Sequence, residues 1–184
     1  MTAPISSFIP GVLTASAAAR VGFAPRCARF SLRARGDLAP IEAALGLSLP
    51  TRIGLRASVG ELEALCLGPD EWMLHAPESA AAGIVTACAG VYATHPHSLV
   101  DISEREVSFV IDGPRAAELL TLGCARDLDT IAVGEGRRTL FDGATVILWR
   151  DADDSFRLDC WTSFATHLFH LLDTGVRELA AESR

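Results

Sequence analysis

Hydrophobic and polar residues alternate along the chain from Cys27 to Arg35, which predicts a strand with one buried face. Comparable patterns predict six elements in the first half of the chain, namely strand 27–35, helix 37–44, strands 61–67 and 71–75, helix 78–89 and strand 100–103. Segment 47–60, between helix 37–44 and strand 61–67, contains Pro50, Gly54 and Gly60, so we expect a loop of uncertain course there.

The second half repeats this order of elements. Its patterns predict strand 106–111, helix 114–122, strands 137–141 and 145–150, strand 156–161 and a final helix beginning at Thr162 or Ser163. Asp142-Gly143 between the paired strands is a strong signal for a tight hairpin turn. One stripe of the final helix carries Phe164, Leu168, Leu172, Val176 and Leu179.

Each half therefore has roughly the order strand, helix, strand, strand, helix. Short connections in this order favour an antiparallel sheet with helices on one face, the split βαβ or ferredoxin-like arrangement. We predict an α+β fold of two pseudo-duplicated halves, about 26–103 and 104–184, within a single domain 26–184. Residues 1–25 end in small residues, as a signal peptide does, but they lack a basic start and Pro10-Gly11 interrupts their apolar stretch. We therefore predict a loose N-terminal arm.

Composition narrows the possible functions. With 49% hydrophobic residues in 184, the chain can bury a proper core. The net charge of −7 argues against nucleic acid and anionic membrane surfaces as partners, since both require an electropositive face. All sixteen cationic residues are Arg, which excludes every mechanism that needs a lysine amine.

The five cysteines form no C-x-x-C pair, which indicates a reducing compartment and predicts a cytoplasmic protein. Cys66 and Cys160 have apolar neighbours, so we expect raised thiol pKa values rather than catalytic thiolates. No complete glycine-rich dinucleotide motif, nucleophile elbow or zinc signature occurs in the sequence.

Few polar residues are candidates for a site. We interpret the pair His95 and His97, and the group His167, His170 and Asp173, as surface residues rather than metal ligands. Asp101 lies in an apolar strand, where burial would require an ion pair with Arg105, Arg137 or Arg138. The three tryptophans, Trp72, Trp149 and Trp161, are predicted to be core, with an interface anchor as the alternative for any one of them.

Several segments, taken in order, resemble the gamma subunit family of heterotetrameric sarcosine oxidase. They are Leu67-Gly68-Pro69-Asp70-Glu71-Trp72, Val100-Asp101-Ile102-Ser103, Gly113-Pro114-Arg115-Ala116-Ala117-Glu118-Leu119-Leu120, Asp127-Leu128-Asp129, Arg138-Thr139-Leu140-Phe141 and Phe156-Arg157-Leu158. That family is in turn similar to the folate-binding domain of the glycine-cleavage T-protein, so the resemblance implies a folate-binding-like domain over residues 26–184.

The sequence departs from the T-protein pattern at one decisive place. The T-protein carries a Gly-Gly-Ile-x-Asp-Asp segment just past its hairpin turn, and an acidic group there is central to folate-linked chemistry. Here the corresponding residues are Gly143-Ala144-Thr145-Val146-Ile147, and Glu104 stands where a His often follows the D-V-S triplet. Because the folate amines need a positioned acceptor, Val146 and Ile147 cannot supply that chemistry.

The resemblance implies a non-catalytic subunit, without catalytic, cofactor-binding or metal-binding residues of its own. The complex would oxidise sarcosine with oxygen to glycine, hydrogen peroxide and either formaldehyde or 5,10-methylenetetrahydrofolate. FAD, FMN, NAD, tetrahydrofolate and zinc are expected in the partner subunits, of which alpha is the main contact and beta and delta complete the assembly. The alternative is a free-standing folate-binding protein or aminomethyltransferase-like enzyme whose acid has moved to Asp101 or Glu104.

Overall fold

The computed structural model describes residues 7–182, which form two compact units. Of these, residues 7–25 and 104–182 form a unit with a six-stranded sheet, and Arg26–Ser103 form a unit with a five-stranded sheet. The α+β class with antiparallel sheets is confirmed. A single domain over residues 26–184 stays a prediction, and residues 1–6 and 183–184 of the predicted segments lie outside the described residues.

The regular elements follow in chain order. They are β1 (Gly11–Ala15), β2 (Arg20–Phe23), β3 (Ala28–Ala34), α1 (Ala39–Leu45), β4 (Arg56–Val59), β5 (Leu62–Gly68), β6 (Glu71–Ala76), α2 (Ala81–Val91), β7 (His97–Asp101), β8 (Glu106–Asp112), α3 (Ala116–Thr121), β9 (Gly136–Phe141), β10 (Ala144–Ala152), β11 (Ser155–Trp161) and α4 (Thr162–Glu182). Short 3₁₀ turns occupy Glu78–Ala80 and Leu128–Thr130.

The five-stranded unit has the strand order β4-β5-β6-β3-β7. Within it, β3, α1, β5, β6, α2 and β7 form the predicted split βαβ pattern, and β4 extends the sheet beyond β5. Alternation in β3 places Phe30 and Leu32 on the face that α1 and α2 cover with Ile41 and Ile84. The core of this unit therefore lies between one sheet face and its two helices.

Segment 47–60 is more ordered than the prediction of a loop. Arg56–Val59 forms β4, which pairs with β5 through Arg56 opposite Leu65 and Val59 opposite Leu62. Pro50 is fixed as well, because its carbonyl accepts the indole N–H of Trp72 at 2.7 Å. Glycines in this segment are typical of a loop. The strand forms because it pairs with β5, and such a tertiary contact cannot be predicted from local sequence.

The six-stranded unit has the strand order β1-β2-β8-β11-β10-β9. One face of this sheet packs against α3 and α4, which bury Leu119, Leu168 and Val176 against Phe109 and Leu148. The predicted hairpin is confirmed, because Phe141 pairs with Ala144 across Asp142 and Gly143, whose φ angles of 46° and 81° are both positive. Positive φ at both turn residues suits the twist of the two strands.

The N-terminal residues differ from the predicted loose arm, because β1 and β2 form a hairpin that joins the six-stranded sheet. Val21 pairs with Ile111 of β8, and the rings of Phe23 and Phe109 stack with centroids 4.8 Å apart. Phe8 adds an edge-to-face contact with Phe23 at 5.4 Å. Burial against β8 stabilises a strand too short to be recognised from its own pattern.

None of the four helices in residues 7–182 combines the length and the apolar composition needed to cross a bilayer. The longest, α4, is amphipathic and buries Leu168, Leu172, Val176 and Leu179 as its stripe predicts.

Close approach of β1 to β2 generates the first prediction. A Cβ atom at Gly22 would overlap the carbonyl oxygen of Gly11 and lie 3.1 Å from the Cα atom of Val12. Gly22→Ala should therefore force the hairpin apart and lower the free energy of unfolding by about 1–3 kcal/mol, measured by guanidinium denaturation.

Gly83→Ala is the matched control, because Gly83 lies in α2 and a Cβ atom there has no neighbour within 4 Å. This variant should gain about 0.5–1 kcal/mol from helix propensity. Equal effects of the two alanines would contradict the close approach of β1 and β2.

The turn between β5 and β6 generates a pH prediction. Asp70 accepts hydrogen bonds from the Arg35 Nε at 2.7 Å and the Arg33 Nη1 at 3.2 Å. The bond from Arg35, with the charges of Arg35 and Arg33, holds the pKa of Asp70 below its usual value. Because the folded-state pKa is lowered, the stabilisation is present at neutral pH and is lost as pH falls through that pKa.

Asp70→Asn should therefore unfold at lower denaturant concentration than the native chain at pH 7. The difference should shrink as pH falls from 7 and disappear at a pH well below the lowered pKa of Asp70, where both side chains are neutral. Denaturation midpoints across this range measure it, and a difference that persists unchanged in acid would show that charge is not the cause.

Candidate functional site

Val146 and Ile147 of β10, which stand in place of the acidic segment of the T-protein, lie on opposite faces of the six-stranded sheet. Val146 belongs to the core cluster beneath the helices, and Ile147, whose side chain is 5% exposed, lies on the other face. Ile147 is opposite Asp159 of β11 and Arg138 of β9 in the strand register. An acidic side chain therefore stands on the neighbouring strand, directly beside the apolar residue.

Asp159 is the centre of a buried polar cluster on this face and is 1% exposed. Its Oδ2 accepts the indole N–H of Trp149 at 2.6 Å, and its Oδ1 accepts the hydroxyl of Ser108. Bonds to a charged acceptor are the stronger hydrogen bonds in proteins. The carboxylate thus links β8, β10 and β11, and both of its oxygens are engaged by donors of this chain.

Arg157 covers the Asp159 cluster at the next positions of the sheet. Its guanidinium lies 4.8 Å from the centre of the Trp149 ring and chelates Asp151 with bonds of 2.6 and 3.1 Å. The indole is therefore held by Asp159 at its N–H group and by Arg157 at its ring face.

Asp159 is not among the candidate site residues predicted from the sequence, although a signal is present there. Asp159 lies between Leu158 and Cys160 in an apolar strand, which is the same anomaly that drew attention to Asp101. Its donors come from two other strands, and Ser108 is 51 residues away in the chain. The anomaly could have been noticed in the sequence, but its partners could not.

A second acid, Glu106, lies on the same face at the end of β8. Its Oε1 accepts the Nη2 of Arg105 at 2.8 Å, whereas its buried Oε2 has no hydrogen-bond partner among the described residues. Trp161 of β11 is directly opposite Glu106 in the register. Because a buried carboxylate oxygen without a donor is costly, this end of the sheet is less completely satisfied than the Asp159 cluster.

Trp161, Phe164 and Arg105 form an exposed group that we call the Trp161 patch. Trp161 is 47% exposed and Phe164 is 39% exposed, with ring centroids 6.3 Å apart. The Arg105 guanidinium lies 5.5 Å from the Trp161 ring. Trp72 and Trp149 are buried as predicted, so Trp161 alone among the three fits the alternative of an interface anchor.

The carboxylates favoured by the sequence analysis occupy exposed positions. Asp101 accepts the backbone N–H and the hydroxyl of Ser103 at 2.9 and 2.6 Å, which closes a local turn. The expected ion pair of Asp101 with an arginine is therefore wrong, because an exposed carboxylate in such a turn does not require one. Glu104 is exposed as well.

The histidines do not gather into a metal site. Nδ1 of His97 donates to the carbonyl of His95 at 2.7 Å, and His167 bonds to Asp142 at 2.7 Å. Asp173 pairs with Arg177 rather than with His170. Within residues 7–182, no group of three or more His, Cys, Asp or Glu side chains is placed to hold a metal ion.

None of the five cysteines forms a disulfide, and all except Cys27 are buried. Burial raises the pKa of the Cys66 and Cys88 thiols above their usual value, and a bond from Cys66 to the Gly68 carbonyl only partly opposes this. Cys66 therefore behaves as a small apolar side chain, as its sequence context predicts, and Cys88 does the same.

Comparisons with known proteins give consistent relatives. A sequence model of the sarcosine oxidase, gamma subunit family matches residues 35–178. Sarcosine oxidase subunit gamma from Corynebacterium sp. (strain U-96) is 32% identical over 78% of this chain and 70% of that protein. The protein of the same description from Arthrobacter sp. is 34% identical over 78% of this chain and 71% of its own length.

Solved structures agree with these relatives. A chain of the heterotetrameric sarcosine oxidase from Corynebacterium sp. U-96, in complex with pyrrole 2-carboxylate, matches with a TM-score of 0.82 and 28% identity over 92% of this chain and 89% of that one. The glycine cleavage system aminomethyltransferase T from Bartonella henselae matches with a TM-score of 0.63 and 15% identity over 85% and 45% of the two chains. This second likeness concerns the fold alone.

The Asp159 cluster generates the next prediction. Asp159→Asn keeps the shape of the side chain but removes the charge and one acceptor from the bonds with Trp149 and Ser108. We expect the free energy of unfolding to fall by about 1–3 kcal/mol, measured by guanidinium denaturation.

The matched control is Asp101→Asn, the same change at an exposed carboxylate that retains its acceptor oxygen. This variant should stay within about 0.5 kcal/mol of the native chain. If the two variants lose equal stability, the buried carboxylate does not hold the three strands together.

Proposed function

The chain belongs to the sarcosine oxidase gamma subunit family, and we propose that it is a non-catalytic subunit that assembles and stabilises a heterotetrameric sarcosine oxidase. Support comes from relatives described as gamma subunits and from a solved structure described as a heterotetrameric enzyme. The likeness to that structure extends over nearly the whole of this chain.

In this proposal, the reacting groups belong to the other subunits. The complex oxidises sarcosine with oxygen to glycine and hydrogen peroxide, releasing the methyl carbon as formaldehyde or as 5,10-methylenetetrahydrofolate. FAD, FMN, NAD, tetrahydrofolate and zinc are assigned to the partner chains. This chain contributes neither a lysine nor a metal-ligand group among its described residues to such chemistry.

The geometry around Ile147 supports a role without catalysis. A folate amine requires a positioned acceptor, and the nearest carboxylate, Asp159, already accepts bonds from Trp149 and Ser108. Asp159 therefore does not fit the acid–base requirement of folate chemistry while it holds these two donors. No step of that chemistry is assigned to this chain.

The observation that carries the proposal is the Trp161 patch. A half-exposed tryptophan beside an arginine, at the end of a rigid sheet, has the composition that dominates binding energy at protein interfaces. Burial of such aromatic surface against a partner stabilises the complex, because apolar area is removed from water. We assign the alpha subunit as the main contact, with beta and delta in the same complex.

We place the assembly in the cytoplasm. The five cysteines form no disulfide, which is consistent with a reducing compartment, where disulfides are rare.

A second candidate function is folate binding by this chain itself, with or without one-carbon transfer. One observation favours it, because Asp159 places an acid on the strand beside Ile147. Binding would require Asp159 to exchange the Trp149 or Ser108 donor for a ligand donor.

Co-expression tests assembly. The chain carrying an affinity tag should co-purify with the flavin-bearing subunits as one peak in size-exclusion chromatography, and the isolated chain should be colourless and inactive with sarcosine. Trp161→Ala should reduce the co-purified partner by about tenfold. Val133→Ala, which shortens another exposed apolar side chain, should leave assembly unchanged. A native chain that never associates with these subunits would refute the proposal.

Calorimetry with tetrahydrofolate separates the two candidates. The non-catalytic subunit should show no binding, whereas a Kd below about 100 μM for the isolated chain would favour the folate-binding alternative. Asp159→Asn should then abolish that binding, while Asp101→Asn should not.

A further inference from the structure

An open groove runs between α2 and β7 in the five-stranded unit and encloses about 540 Å³. Its lining consists of Val85, Cys88, Ala89, Tyr92, His97, Ser98 and Leu99, and it includes no aspartate, glutamate or arginine. Val85 and Tyr92 are 46% and 55% exposed at its rim. The groove therefore presents uncharged, largely apolar surface beside a strand.

That strand, β7, is at the edge of the sheet. Ile102 N–H donates to the Arg29 carbonyl at 2.9 Å, and peptide groups in an antiparallel pair alternate between the two sides of a strand. Val100 and Ser98 consequently face β3, whereas the peptide groups of Leu99 and His97 face the open edge. These groups can extend the sheet by one more strand.

The edges of the two sheets differ in how they are protected. The edge strands β4 and β9 carry Arg56 and the pair Arg137 and Arg138, and charged residues discourage strand addition. The edge strands β1 and β7 contain no arginine. The one acid of β7, Asp101, stands at its end, and β7 borders the groove beneath α2.

We propose that β7 accepts an extended segment of another subunit as a sixth strand of this sheet, with apolar side chains of that segment seated in the groove against α2. The inference rests on the proposed assembly function and assigns one surface to it. Main-chain bonds to an edge strand supply affinity in such complexes, and the side-chain pockets beside the strand supply specificity.

The negative charge at the end of β7 favours one kind of incoming segment. Asp101 ends β7 as an exposed carboxylate, so the incoming segment should place a basic residue opposite it. A second copy of β7 fits less well, because alternation puts its own Asp101 on the side of Leu99, toward the apolar groove lining. The segment is therefore apolar at alternate positions and basic at one end.

The test uses the tagged chain co-expressed with the other sarcosine oxidase subunits. Val85→Arg places a charge in the groove at an exposed helix position and should lower the recovered partner by about tenfold or more. Val59→Arg makes the same change at the β4 edge, where the side chain is 58% exposed, and should not affect recovery. Circular dichroism and thermal unfolding check that both variants are folded.

Hydrogen–deuterium exchange provides a second measurement with the native sequence. The peptide spanning His97–Asp101 should exchange at least about tenfold more slowly in the purified complex than in the isolated chain, because its outward amides become hydrogen-bonded.

The outcomes separate this inference from the proposed function. Failure of the native chain to associate would refute the assembly function itself. Assembly that survives Val85→Arg, or that leaves exchange over His97–Asp101 unchanged, would overturn the β7 inference alone. Protection of β7 in a homodimer, without other subunits, would also overturn it.

Discussion

A carboxylate removed from water needs hydrogen-bond donors for both oxygens, and Asp159 finds them in Trp149 and Ser108. This requirement fixes the register of β8, β10 and β11, because a slip by one residue would move the acid to the apolar core face. It also decides the chemistry of the face around Ile147. An acid whose two oxygens already accept bonds from its own chain stabilises the sheet and has little capacity left to hold a ligand proton.

Asp159 is occupied by donors of its own chain, whereas large aromatic side chains remain exposed on the surface. Trp161 at the end of β11 and Tyr92 just after α2 are large side chains left half-exposed, one in each compact unit. The chain has a net charge of −7, and arginine supplies all of its cationic side chains. One of these arginines, Arg105, lies over the Trp161 ring. Exposed aromatic area is a liability for a chain that stays alone and an advantage for one that assembles.

The sequence predicted the elements whose signals are local. The turn at Asp142-Gly143, the stripe of α4 and the split βαβ order in both halves need only neighbouring residues to be recognised. Elements that depend on distant partners were missed. β2 is four residues long and pairs with a strand about ninety residues later, as in the Arg20–Asp112 ion pair at a separation of 92. β4 and the partners of Asp159 are likewise settled by tertiary pairing, which single-chain patterns do not contain.

The two units repeat the same split βαβ pattern but complete it with different strands, and their sheets therefore end in different edge strands. The strand that opens each split βαβ pattern, β3 or β8, needs a neighbour on its free side, and this is β7 in one unit and β2 in the other. Because β2 arrives with β1 as a hairpin, the edge of the six-stranded sheet moves one strand outward. In the five-stranded sheet, β7 follows α2 directly and remains the edge, which leaves the helix and the open strand side by side. A groove that can hold the side chains of an added strand therefore arises at β7 from the topology itself.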